Sequence, residues 1–87
     1  MENRKQLEKA VIKVLKTLSD FDKISCKARI EDLALDSITW IQFFDRLEEK
    51  NIFVTDFASI YVDSMNIEYV YELIDLIEND LNRSNNS

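Results

Sequence analysis

Across 87 residues the chain contains no glycine and no proline. The residues that most often punctuate secondary structure are missing, so element ends have to be supplied by Asn, Asp and Ser. The same absence excludes a glycine-rich phosphate loop, a dinucleotide-binding fingerprint and a calcium loop of the EF-hand pattern, all of which need glycine. The length gives one small domain, able to bury only about 60–65% of the surface its unfolded chain exposes. With 46% of its residues apolar, the chain is too hydrophobic for disorder. A few amphipathic helices around one core suit this balance of burial and chain entropy.

Apolar spacing locates the helices. Leu7, Val11, Val14, Leu15 and Leu18 recur at three- and four-residue steps and predict a first helix over about residues 3–18, with Lys5, Lys9, Lys13 and Lys16 on its other face. Residues 19–36 lose the period, and Phe21, Ile24, Ile30 and Leu33 are expected to pin a long loop to the core. Asp36-Ser37 opens a second helix running to about Lys50. Its core-facing side is read as Ile38, Ile41, Phe44 and Leu47, which leaves Trp40 to the side and partly buried. Asn51 is expected to end it in the left-handed conformation. Ile52-Phe53-Val54-Thr55 is expected as an extended connector, since a lone strand has nothing to pair with.

A short third helix is expected over about residues 56–61. Asp63-Ser64 is then expected to cap a last helix carrying Ile67, Val70, Ile74, Ile77 and Leu81, with Ser64 assigned to capping. Residues 82–87 read as a frayed polar tail. The predicted architecture is all-α: a four-helix bundle with a short third helix and a long first loop, as one domain over 1–82 and a polar tail over 83–87.

The chain has no histidine, which removes Ser-His and Cys-His nucleophile pairs and His-bearing metal sites within it. Cys26 is the only cysteine, so no internal disulfide, four-cysteine zinc site or Cys-X-X-Cys pair can form. A lone thiol tucked against a loop fits a reducing compartment. No membrane span and no signal-peptide pattern is visible, and a cytoplasmic location is expected. Charge is uneven: residues 1–30 carry +4 and residues 31–87 carry −10, within a net −6. The acidic half argues against nucleic acid and anionic lipid and favours partners with basic surfaces, or else is a solvated face.

Leu35-Asp36-Ser37-Ile38, followed ten residues after the serine by Leu47-Glu48-Glu49 and then Ile52-Phe53-Val54, resembles the acyl carrier protein family and its peptidyl and aminoacyl relatives. Met65 to Ile74 is similar to that family's entry into its last helix. The resemblance implies a four-helix bundle of acyl-carrier type, monomeric and without catalytic residues of its own. It also implies a covalent 4′-phosphopantetheine arm, taken from coenzyme A and attached to Ser37 as a phosphodiester, with Asp36 capping the helix and assisting recognition.

The implied partners are a phosphopantetheinyl transferase, an acyl- or aminoacyl-activating enzyme, and a downstream acyl-transferring or condensing enzyme. They would meet Ile38, Thr39 and Trp40 at the head of the second helix and Asp45, Glu48 and Glu49 along its flank. Ala34 stands where the family usually has glycine. Thr39 and Gln42 stand where fatty-acid-type carriers place acids, which leans toward a specialised polyketide, nonribosomal peptide or related pathway. Two other readings stay open: a small helical adaptor in which Ser37 is only a helix N-cap, and a carrier-like structural subunit. An enzyme would have to work with carboxylates alone.

Overall fold

A computed structural model describes residues 4–19 and 21–85. The expected helix start at residue 3 and the end of the tail at residues 86–87 lie outside them. Four α-helices form the described chain: α1 (Arg4–Ser19), α2 (Ser37–Glu49), α3 (Phe57–Ser64) and α4 (Val70–Asn85), with one 3-10 turn over Ile30–Leu33. The described residues contain no strand, only an isolated antiparallel bridge between Arg29 and Tyr69. None of their helices is long and apolar enough to cross a membrane.

The core lies where α1 packs on both α2 and α4, with α3 laid against α4. Leu7, Val11, Val14 and Leu15 face inward from α1, as the spacing predicts, and meet Val70, Leu73, Ile74 and Ile77 of α4. The second helix departs from its predicted orientation. Trp40, Phe43 and Leu47 are buried, whereas Ile38 and Ile41 are 66% and 63% exposed. Helix α2 carries two apolar stripes that share Leu47, which is buried as predicted, and the one holding the larger rings is turned inward. Burying the larger area decides the rotation.

The long loop is pinned by Ile24, Ile30 and Leu33 as expected, but Phe21 is exposed. Backbone hydrogen bonds anchor it as well. The Val70 and Tyr71 N–H groups donate to the Ala28 and Cys26 carbonyls, both at 2.9 Å, and the Ile30 N–H donates to the Glu68 carbonyl at 2.8 Å. Val70 and Tyr71 open α4, where N–H groups lack partners within the helix, so the loop supplies what the helix cannot. Cys26 is half-buried there, against the core.

This explains why Asp63-Ser64 does not cap the last helix. Glu72 does so instead, its carboxylate accepting from the N–H groups of Glu68 and Tyr69, each at 3.0 Å. Helix α3 runs one turn farther than predicted and takes Asp63 and Ser64 into its last turn. Ser64 sits beneath Ile60 on the inner face, 6% exposed, its hydroxyl donating to the Tyr61 carbonyl at 2.6 Å. The helical path also extends past residue 82, where the polar tail is expected to begin. Helix α4 continues through Asn85, beyond the buried Asp80 and half-buried Leu81.

Candidate functional site

The head of α2 is built by a short sequence of backbone events. Ala34 closes the 3-10 turn in the left-handed region at φ 52°, ψ 47°. Leu35 turns into the protein against the core. Asp36 is extended and caps α2, its Oδ1 accepting from the Thr39 N–H at 2.7 Å. That backbone donor, at the positive end of the helix, holds the Asp36 carboxyl below its ordinary range. Ser37 is the first helical residue and is exposed. The cap is therefore Asp36, and the Ser37 hydroxyl has no capping duty.

A groove of about 370 Å³ lies between α2 and α3, and Ser37 is among its lining residues. Helix α2 contributes Trp40, Ile41 and Phe44, the connector contributes Ile52 and Val54, and α3 contributes Phe57 and Tyr61. Four of these are aromatic and in mutual contact: Trp40 meets Tyr61 edge-on at 6.2 Å, Phe44 lies 6.1 Å from Trp40, and Phe57 lies 5.7 Å from Phe44. Rings so arranged hold one another in place, so the apolar wall is already formed. Asp45 and Glu48 supply carboxylates to the same groove.

The residues expected to meet partners are thus dispersed. Ile38 is exposed beside Ser37, and Thr39 is half-buried with its N–H committed to Asp36. Trp40, at 5% exposed, belongs to the core and shows only its groove side. Asp45 and Glu48 stay on the groove, but Glu49 points elsewhere, into a depression shared with α1. On a 3.6-residue helix, neighbours such as Glu48 and Glu49 lie about 100° apart and cannot form one flank.

Sequence reasoning missed the α3 and connector side of the groove, since Phe57 and Tyr61 meet α2 only across the fold. It also missed Asp80. This carboxylate is 1% exposed and accepts from the Thr55 N–H at 2.8 Å, the Thr55 hydroxyl at 3.0 Å and the Asp56 N–H at 3.1 Å. It thereby fixes the turn from which α3 departs. A signal was present: Asp80 stands three residues after Ile77 on the core stripe, where a polar residue needs a partner.

An exposed hydroxyl at the first residue of a helix can carry a phosphate ester in a favourable field. The adjacent Asp36 carboxylate accepts from the Thr39 N–H through Oδ1. No group of three His, Cys, Asp or Glu side chains among the described residues is placed to hold a metal ion. No protein-family model matches the chain, and neither the curated proteins nor the solved structures yield a match.

Proposed function

We propose that the chain is a carrier protein that holds acyl or aminoacyl groups as thioesters on a 4′-phosphopantetheine arm attached to Ser37. The observation that carries this reading is the contrast between its two Asp-Ser pairs. Ser37 is exposed at a helix start with the capping done by its neighbour, while Ser64 is buried at a helix end with its hydroxyl committed. Of the two, Ser37 alone is exposed.

The residues present suit the group. The Ser37 hydroxyl stands clear of the surface, the helix end favours the phosphodiester's charge, and the Asp36 carboxylate is drawn back onto Thr39. When bound, the arm supplies the thiol on which the cargo rides. The chain's own part is to present the attachment point and to shelter what is carried. The groove beside Ser37, walled by Trp40, Phe44, Phe57 and Tyr61, suits an apolar group brought back by the arm. Ile38 and Ile41, exposed next to the attachment point, suit contact with the enzymes that load and unload it. In the adaptor reading the cap is Asp36, and Ser37 is an unmodified first residue of the helix.

The test is intact-protein mass after incubation with coenzyme A and a broad-specificity phosphopantetheinyl transferase. One phosphopantetheine adduct is expected on the native chain and on Ser64→Ala, and none on Ser37→Ala. A folded native chain that several transferases leave unmodified would return the reading to an adaptor.

A further inference from the structure

Helix α2 faces α1 across a second depression, of about 290 Å³, on the side turned away from the groove. Lys13 and Thr17 of α1 line it together with Arg46 and Glu49 of α2 and Lys50, the residue that caps its end. All five are exposed. Lys13, Arg46 and Lys50 make no ion pair among the described residues. Three cations thus face a single carboxylate, in a chain whose net charge is −6. Arg46, in the last turn of α2, and Lys50, at its cap, carry like charge four residues apart. Their place near the C-terminal end of α2 offsets that for these two, but it does not account for Lys13, which arrives from the middle of another helix. Exposed Lys5, Lys9 and Lys16 extend the same cationic face along α1, over roughly 16 Å.

We propose that this strip docks a short acidic segment of a partner protein, with carboxylates seated between Lys13, Arg46 and Lys50. The length of the strip calls for an extended partner rather than a single small anion. The charge of the whole molecule favours a short acidic segment over nucleic acid or an anionic bilayer. A long polyanion would also meet the acidic residues of positions 31–87, whereas a short segment meets only the cations within a screening length of about 8 Å. The depression lies roughly 15–20 Å along α2 from Ser37, so a partner held here leaves the head of that helix and its groove open.

The experiment is fluorescence anisotropy on the whole chain with a labelled helical peptide of about four turns, its glutamates repeating every fourth residue. Saturable binding is expected at low ionic strength, weakening as salt approaches about 0.15 M. Lys13→Glu and Arg46→Glu are each expected to weaken it about tenfold or more. Lys13→Gln and Arg46→Gln should give smaller losses, with the fold checked by circular dichroism. The double reversal Lys23→Glu/Lys27→Glu, on the exposed loop, changes more charge and is expected to cost less than about threefold. Equal weakening by the loop reversal, absence of saturable binding, or tighter binding of a duplex DNA of similar length would each overturn the proposal.

Discussion

Asp80, near the C-terminal end of α4, accepts hydrogen bonds from both the backbone N–H and the side-chain hydroxyl of Thr55, 25 residues earlier in the chain. The pair joins the last helix to the turn that starts α3, and so holds one wall of the groove in place. Asp80→Ala removes a buried acceptor from donors that belong to the exposed residues Thr55 and Asp56, and is expected to cost about 1–2 kcal/mol. Asp80→Asn keeps the shape and one acceptor and is expected to cost less. Urea unfolding gives the energies, and amide exchange at Thr55 and Asp56 should rise in both variants before the core opens.

Ala34 occupies the left-handed region at φ 52°, where a β-carbon crowds the following carbonyl. Glycine relieves the crowding but adds freedom to the unfolded chain. Ala34→Gly is expected to stabilise by about 0.5–1 kcal/mol, raising the melting temperature by about 2–8 °C. Asn51, at φ 65°, closes α2 in the same region, and Asn51→Val is expected to destabilise by about 1–2 kcal/mol.

The rotation of α2 makes opposite forecasts for neighbouring residues. Phe43→Ala, emptying a site that is fully buried, is expected to cost about 3–5 kcal/mol. Ile38→Ala and Ile41→Ala, on the exposed stripe, should each stay within about 0.5 kcal/mol. Denaturant titration of the three variants checks this, and a costly Ile41→Ala with a mild Phe43→Ala would reverse the orientation.

Asp36 links the α2 cap to pH. Its folded pKa lies below the ordinary value of 3.8 because the Thr39 N–H favours the charged form. A depressed carboxylate contributes its stabilisation in full above the unfolded value, and the contribution disappears as pH falls through the folded one. The helix start should therefore hold at neutral pH and loosen only in acid below about pH 4. Carboxyl-carbon NMR should place the Asp36 midpoint under 3.8, and Thr39→Pro, which removes the donor, should bring it back toward that value.

Trp40 offers a reporter for the groove. Its ring is 5% exposed and touches Phe43, Phe44 and Tyr61. An apolar group seated against it should shift its emission, and Phe57→Ser, which removes the facing ring, should reduce that shift without unfolding the chain. Fluorescence of the loaded and unloaded protein compares the two.

The helices and much of their punctuation were legible in the residues alone. The spacing of Leu7 through Leu18 and of Val70 through Leu81, the cap at Asp36, and the left-handed Asn51 all follow from interactions within a few residues of one another. The exposed serine at the head of α2 was legible for the same reason.

What the chain could not declare locally is which of two adequate local choices its neighbours would favour. Helix α2 has two apolar stripes, and only packing against α1 selects Trp40, Phe43 and Leu47 for burial. Asp63-Ser64 has the chemistry of a cap, yet the loop carbonyls of Cys26 and Ala28 and the carboxylate of Glu72 had already satisfied the start of α4. Asp80 finds its donors 24 and 25 residues away. Hydrogen bonds and periodicity within a turn are fixed by sequence distance. Burial depends on what the fold brings alongside, and it decides the rotation of α2, the fate of Ser64 and the shape of the groove beside Ser37.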